Sequence, residues 1–137
     1  MAYTTVQKII NMGFSWHNFD VPDGSAFEAL VQSTLDEQIT LIQVDYPAYE
    51  AATGREQLVL AQAEKYRTAA ALKRLEGNQA SADSSRDFGA PPANTENHFK
   101  SAQQFENSAD IWLAKIGVGK HVVKESTGIA SAVVVTG

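Results

Sequence analysis

Between Thr53 and Gly77 the chain reads TGREQLVLAQAEKYRTAAALKRLEG, a run with its own start signal, stop signal and helix-forming middle. Thr53 and Glu56 have the spacing of a capping box, in which each side chain takes up a backbone donor that the first helical turn leaves free. Most residues between are strong helix formers, and a glycine at 77 suits the left-handed conformation in which helices commonly end. A central helix is therefore expected over 53–77. Its apolar residues fall on nearly every side. Val59, Ala63, Tyr66 and Ala70 form one stripe, Leu58, Ala61, Ala69 and Leu72 another, and Leu60 and Leu75 lie off both. Such a helix packs on several sides, within its own subunit or against a copy, and its alanines permit close approach.

The segments around it are simpler. Thr4 or Thr5 caps a short first helix carrying Val6, Ile9 and Ile10, which ends near Gly13. Phe14, Trp16 and Phe19 follow as an aromatic lid over one end of a bundle, before the turn Val21-Pro22-Asp23-Gly24. Ser25 and Glu28 suggest a second capping box, opening a helix that runs toward Asp45 and stops before Pro47. Its apolar stripe is Phe27, Leu30, Val31, Leu35, Ile39, Ile42 and Tyr46, with polar residues opposite. Residues 78–96, NQASADSSRDFGAPPANTE, change composition and predict a long loop in which Phe88 stands out as an apolar anchor. A last helix, from about Thr95 to Ile116, carries Phe99, Ala102, Phe105, Ala109, Trp112, Leu113 and Ile116 on one face and ends at Gly117. Ile111 points the other way, toward Lys100, Gln104 and Asn107, and is a candidate contact in an assembling protein.

After Gly117 the pattern turns extended. Val122 and Val123, then Ile129 and the run Val133-Val134-Val135, are β-branched, with Ser126-Thr127-Gly128 as a turn between them. A hairpin that short is marginal alone, so the tail is expected to pair with its own domain, a copy, or another protein's sheet edge. The expected fold class is thus mainly α: a small bundle of about four helices over 1–117, with a long loop, and an extended or β-hairpin C-terminal arm over 118–137.

Composition narrows the function classes. A chain of 137 residues, 44% hydrophobic and 20% charged, fits one ordinary globular core. A net charge of −5 disfavours nonspecific phosphate binding, which needs clustered Lys and Arg. The absence of cysteine excludes disulfides, thiolate zinc sites and cysteine nucleophiles. The N-terminal MAYTTVQKII lacks a signal-peptide pattern, and no run approaches a membrane span, so a soluble, cytosolic product is expected.

Signals for catalysis are weak. His17, His98 and His121 lie in different segments without metal-ligand spacing. Gly117-Val118-Gly119-Lys120 fails as a phosphate loop, because that motif needs four residues between its glycines and a Ser or Thr after the Lys. The acidic pairs Asp36 with Glu37, and Asp83 near Asp87, read as solvated charges, since a catalytic pair needs a pocket. No hydrolase elbow, zinc-protease, calcium-loop or dinucleotide motif is present. The chain is expected to be no enzyme and to hold no cofactor or metal. Two further readings are a helical-bundle binding domain, for a partner protein or for a small ligand beneath Trp16 and Trp112, and an enzyme using Asp36 or Glu37.

The segments FEALVQSTLDEQITLIQVDYPAYEAATG, LAQAEKYRTAAALKRLEGN and FKSAQQFENSADIWLAKIG, in this order, resemble the head-tail connector (adaptor) proteins of tailed bacteriophages. The resemblance lies in a helix pair with an Ala-rich second member, a long loop, a further helix and a tail. It implies a structural virion protein, assembled in the host cytoplasm as a ring, of twelve copies in that family, beneath the portal. Such a ring extends the DNA channel, lets DNA pass without specific binding, and offers a platform to a neck or tail protein. Terminal arms and loops commonly hold the portal in this family. That gives Phe88 in the 78–96 loop, and Ile129, Val133, Val134 and Val135 in the tail, the expected role of protein contacts, with Ile111 a contact between copies.

Overall fold

A computed structural model of the chain describes residues 2–88 and 94–118, with side chains placed for 2–79 and 96–118. Those residues are mainly helical and form four α-helices: α1 (Val6–Ile10), α2 (Gly24–Asp45), α3 (Arg55–Phe88) and α4 (Asn94–Ala114). Two short 3-10 turns, Trp16–Asn18 and Tyr49–Ala51, break the connections on either side of α2. The most extensive packing is between α3 and α4, while α2 lies along α3, and α1 sits against both α2 and α3.

The helix starts follow local chemistry. Thr5 caps α1, its hydroxyl accepting from the Lys8 amide at 3.3 Å, and Gly13 takes φ +114° where the chain turns away. At α2 the cap is Asp23 rather than Ser25: its Oδ1 accepts from the Ala26 amide at 2.8 Å, so the helix begins two residues earlier than the Ser25–Glu28 spacing suggests. Asp and Ser are equally good caps, and extended backbone at Asp23 decides between them. Half of the expected box at Thr53 forms: Glu56 Oε1 accepts from the Thr53 amide at 3.5 Å, and Gly54 enters the helix with φ +56°.

The largest departure is at Gly77. The helix expected to end there continues to Phe88, so the first part of the 78–96 stretch is helical. Gly77 is fully inside α3 and serves a different purpose. A Cβ on it would lie 3.1 Å from Phe99 Cε1 and Cζ and 3.2 Å from His98 Cβ, tighter than ordinary contact. Glycine is there to let α4 approach. At the far end of α4, Gly117 does close its helix, with φ +79° and the Val118 amide donating to the Leu113 carbonyl at 3.0 Å. Val118 is buried with the bundle.

The core runs along the α2–α3–α4 seam. Phe27, Val31, Leu35 and Ile42 of α2 meet Leu60, Ala63 and Leu72 of α3, with Leu113 contributed by α4. The aromatic segment belongs to this core: Phe14 and Phe19 are buried, and the Phe19 and Phe27 rings lie 4.9 Å apart. Tyr66 stacks on Phe105 across the α3–α4 seam at 6.0 Å. Burying large side chains stabilises by roughly 1.5–3 kcal/mol each, and this holds a bundle whose small α1 could not persist alone.

Candidate functional site

Three kinds of place could carry function: buried polar clusters, open hollows and exposed apolar side chains. The most buried charge is Glu64, on the inner side of α3 and 0% exposed. Its Oε1 accepts from the backbone amides of Tyr3 and Thr4 at 2.9 and 3.1 Å, and Oε2 accepts from the Tyr49 hydroxyl. The Tyr3 hydroxyl donates to the Tyr49 carbonyl at 2.6 Å, and the two rings are tilted 5.0 Å apart. Burial raises the Glu64 carboxyl above its ordinary range, while the hydrogen bonds from Tyr49, Thr4 and Tyr3 pull against it. Burial, and then Glu64 itself, push the Tyr49 phenol upward. Every carboxylate oxygen is satisfied and none of the hollows described below reaches it, so this cluster fastens the N-terminal segment to α3.

Glu76, 3% exposed, forms a second cluster one end further along. Asn18 Nδ2 donates to its Oε2 at 3.1 Å, Lys73 Nζ stands 3.1 Å from Oε1, and His98 Nδ1 lies 3.9 Å from the same oxygen. These contacts tie the Trp16–Asn18 turn to α3 and α4. Sequence reading missed both glutamates. The available signal was a carboxylate set inside the many-sided apolar surface of the central helix, most visibly Glu64 beside Ala63.

Of the expected site residues, Ile111 is placed as anticipated, 60% exposed on α4. Phe88 is the last residue of α3 rather than part of a loop, and its side chain, with the contact expected of it, lies outside the described residues. Ile129, Val133, Val134 and Val135, with the rest of the extended arm, also lie outside them. Asp36 and Glu37 are exposed on α2, and neither lines the hollows described below. His17 rests against Trp16, ring centroids 4.0 Å apart, and His98 belongs to the Glu76 cluster. Among the described residues no group of three His, Asp or Glu side chains could hold a metal ion, and no helix is long and apolar enough to cross a membrane.

A hollow of about 380 Å³ lies beneath Trp16, lined by Phe14, Phe27 and Ile10 with Gln7, His17 and Glu28 at its rim. Trp112 is not part of it and lies instead under Lys115, whose Nζ stands 5.5 Å from the ring centroid. A larger groove of about 430 Å³ opens between α2 and α4, with α3 as its floor. Gln38 and Leu41 form one wall, Glu106 and Asp110 the other, and Arg67, Ala71 and Arg74 the floor. Arg74 and Glu106 pair at 2.5 Å across it.

Several large aliphatic side chains are exposed on the helices. Val44 is 73% exposed, Leu58 70% and Leu41 53%, and together with Ile111 they place large aliphatic side chains in water on α2, α3 and α4. Leu41 and Val44 are neighbours on α2, while Leu58 and Ile111 stand singly on α3 and α4. Comparison with protein-family models, with curated proteins and with solved structures finds no match.

Proposed function

We propose that this chain is a structural adaptor of the head-tail connector kind, a virion protein that associates with copies of itself into a ring beneath a portal and joins it to a neck or tail protein. The observation that carries the reading is the exposure of Leu41 and Val44 on α2 and of Ile111 on α4. A closed ring is built head to tail, each copy offering one surface and accepting with a different one. Leu41 with Val44 on α2, and Ile111 on α4, offer two separate aliphatic contacts of the kind that arrangement needs. The order of segments that resembles the connector family adds to it, as does the acidic net charge of −5, which suits a channel through which DNA slides. In this reading the chain carries out no reaction and takes no cofactor, and the Ile129–Val135 stretch of the arm reaches for the portal. Electron microscopy of the purified chain, alone and with portal-bearing heads, is the test. Rings seated on the portal are expected; a chain that stays monomeric with and without heads refutes the proposal.

A second reading rests on the hollow beneath Trp16, which has an aromatic wall and a polar rim suited to a small ligand. Saturable quenching of Trp16 fluorescence, lost on Phe27→Ala in a folded variant, would favour it over the adaptor.

A further inference from the structure

Three exposed side chains share one ridge of α2. Glu37, Leu41 and Asp45 recur at every fourth residue, and Leu41 is 53% exposed between the two carboxylates. Neither Glu37 nor Asp45 makes a hydrogen bond or ion pair among the described residues, and α2 contains no Lys or Arg. Asp45 is moreover the last residue of the helix, which has no basic residue in its last turn. A helix C-terminus repels a carboxylate and favours a cation, so this end of the ridge gains doubly from a lysine brought to it.

The sequence beyond Val118 carries the matching pattern. Lys120, Val122 and Lys124 alternate with His121 and Val123, so in the extended conformation expected of this stretch they fall on one side, with Glu125 on the other. Lys120 to Lys124 then spans about 13 Å of extended chain, against about 12 Å of helix from Asp45 to Glu37. The arm also starts at the right end. Gly77 faces Phe99 and Tyr66 stacks on Phe105, so α4 runs antiparallel to α3 and Val118 lies at the end of the bundle where α3 begins. The short connection 46–54 brings Asp45 to that same end. An arm turning back along α2 meets Asp45 first and Glu37 last, the order in which its lysines come.

We propose that residues 120–124 lie antiparallel along α2 of their own chain, with Lys120 on Asp45, Val122 on Leu41 and Lys124 on Glu37. The occupant of this ridge is the root of the C-terminal arm, selected by charge, by spacing and by the end from which it starts. Surface ion pairs contribute little singly, so the contact holds through two pairs together, the cover given to Leu41 and the short tether from Val118. Val44, off the ridge and 73% exposed, stays available to other chains, as do Ile111 and the Ile129–Val135 stretch. The contact therefore goes beyond the adaptor reading and does not depend on it.

Because the chain has no cysteine, the full chain with Leu41→Cys and Val122→Cys reports the contact by disulfide formation. Val122→Cys with Gln104→Cys, on the outer face of α4, is the control pair, and circular dichroism checks that every variant folds. Oxidation is expected to link positions 41 and 122 within one chain, independently of chain concentration and roughly tenfold faster than the control pair. Adding Lys120→Glu with Lys124→Glu is expected to slow the link roughly fivefold, and further adding Glu37→Lys with Asp45→Lys to restore it. A link no faster than the control, a link mainly between chains, or a rate that the reversals leave unmoved or the fourfold variant does not restore overturns the proposal. Ring formation on portal-bearing heads is measured separately, so failure here leaves the adaptor reading standing.

Discussion

Glu64 shows how a single side chain shapes the behaviour of the whole N-terminal segment. Its Oε1 is the acceptor for two backbone amides, and its Oε2 for a phenol. Glu64→Ala leaves those donors buried without a partner and is expected to destabilise by roughly 3 kcal/mol in urea unfolding. Glu64→Gln keeps an oxygen for Tyr3 and Thr4 and turns an amide toward the Tyr49 oxygen, so the fold is expected to survive. The pH dependence separates the two chemistries. Burial raises the Glu64 carboxyl in the folded chain above its ordinary value of 4.5. The folded state therefore holds this proton more tightly than the unfolded state, and the Glu64 contribution is fully present below pH 4.5. It is lost as pH rises through the raised folded value. Stability of the wild type relative to Glu64→Gln is expected to increase on acidification from neutral pH, measured by urea midpoints for both proteins. An unchanged difference would show that the carboxyl is not raised. Gly77 is the other decisive residue. Alanine there gains helix propensity of about 1 kcal/mol but presses on Phe99 and on the His98 Cβ, which moves only with its backbone. A net loss of about 1 kcal/mol is expected in the same assay, and a net gain would mean that α4 yields freely.

At the scale of elements, much of the fold was legible because helix signals are local. The Thr5 cap, the end of α2 at Asp45 before Pro47, and the left-handed Gly117 all act within a few residues of themselves. Where two local signals competed, the sequence could not choose. Asp23 and Ser25 are both good caps, and the structure uses Asp23. Asp23→Ala is accordingly expected to cost about 1 kcal/mol, and Ser25→Ala less than about 0.5 kcal/mol, in urea unfolding. Equal losses would mean that α2 starts at either residue. Gly77 failed as a stop signal for a different reason. A glycine that ends a helix and a glycine that admits a neighbouring ring look identical in one dimension, and only the arrival of Phe99, twenty-odd residues later, tells them apart. The same limit hid Glu64 and Glu76. Their burial depends on Tyr3, Thr4, Tyr49 and Asn18, which contact them only after the chain has doubled back. Ile111, whose exposure follows from helical period alone, was readable directly.

For the molecule as a whole, the adaptor reading separates stability from assembly. Ile111 is 60% exposed and contributes little to its own bundle. Ile111→Asp is expected to leave the unfolding midpoint within about 0.5 kcal/mol of wild type while reducing ring formation in electron micrographs. Unaltered rings would remove α4 from the contact and leave α2 to provide it. Phe99 seated on Gly77 bears on this larger scale as well. One turn along α3 is about 5.4 Å, and the positions one turn earlier, Lys73 and Arg74, carry a Cβ where the ring would land. The glycine thus acts as a detent, opposing a slide of α4 toward the start of α3. It fixes how far α4 projects before Val118, and with it the height at which each copy would release its arm. In a ring, a common launching height is what would let many arms meet one flat partner together.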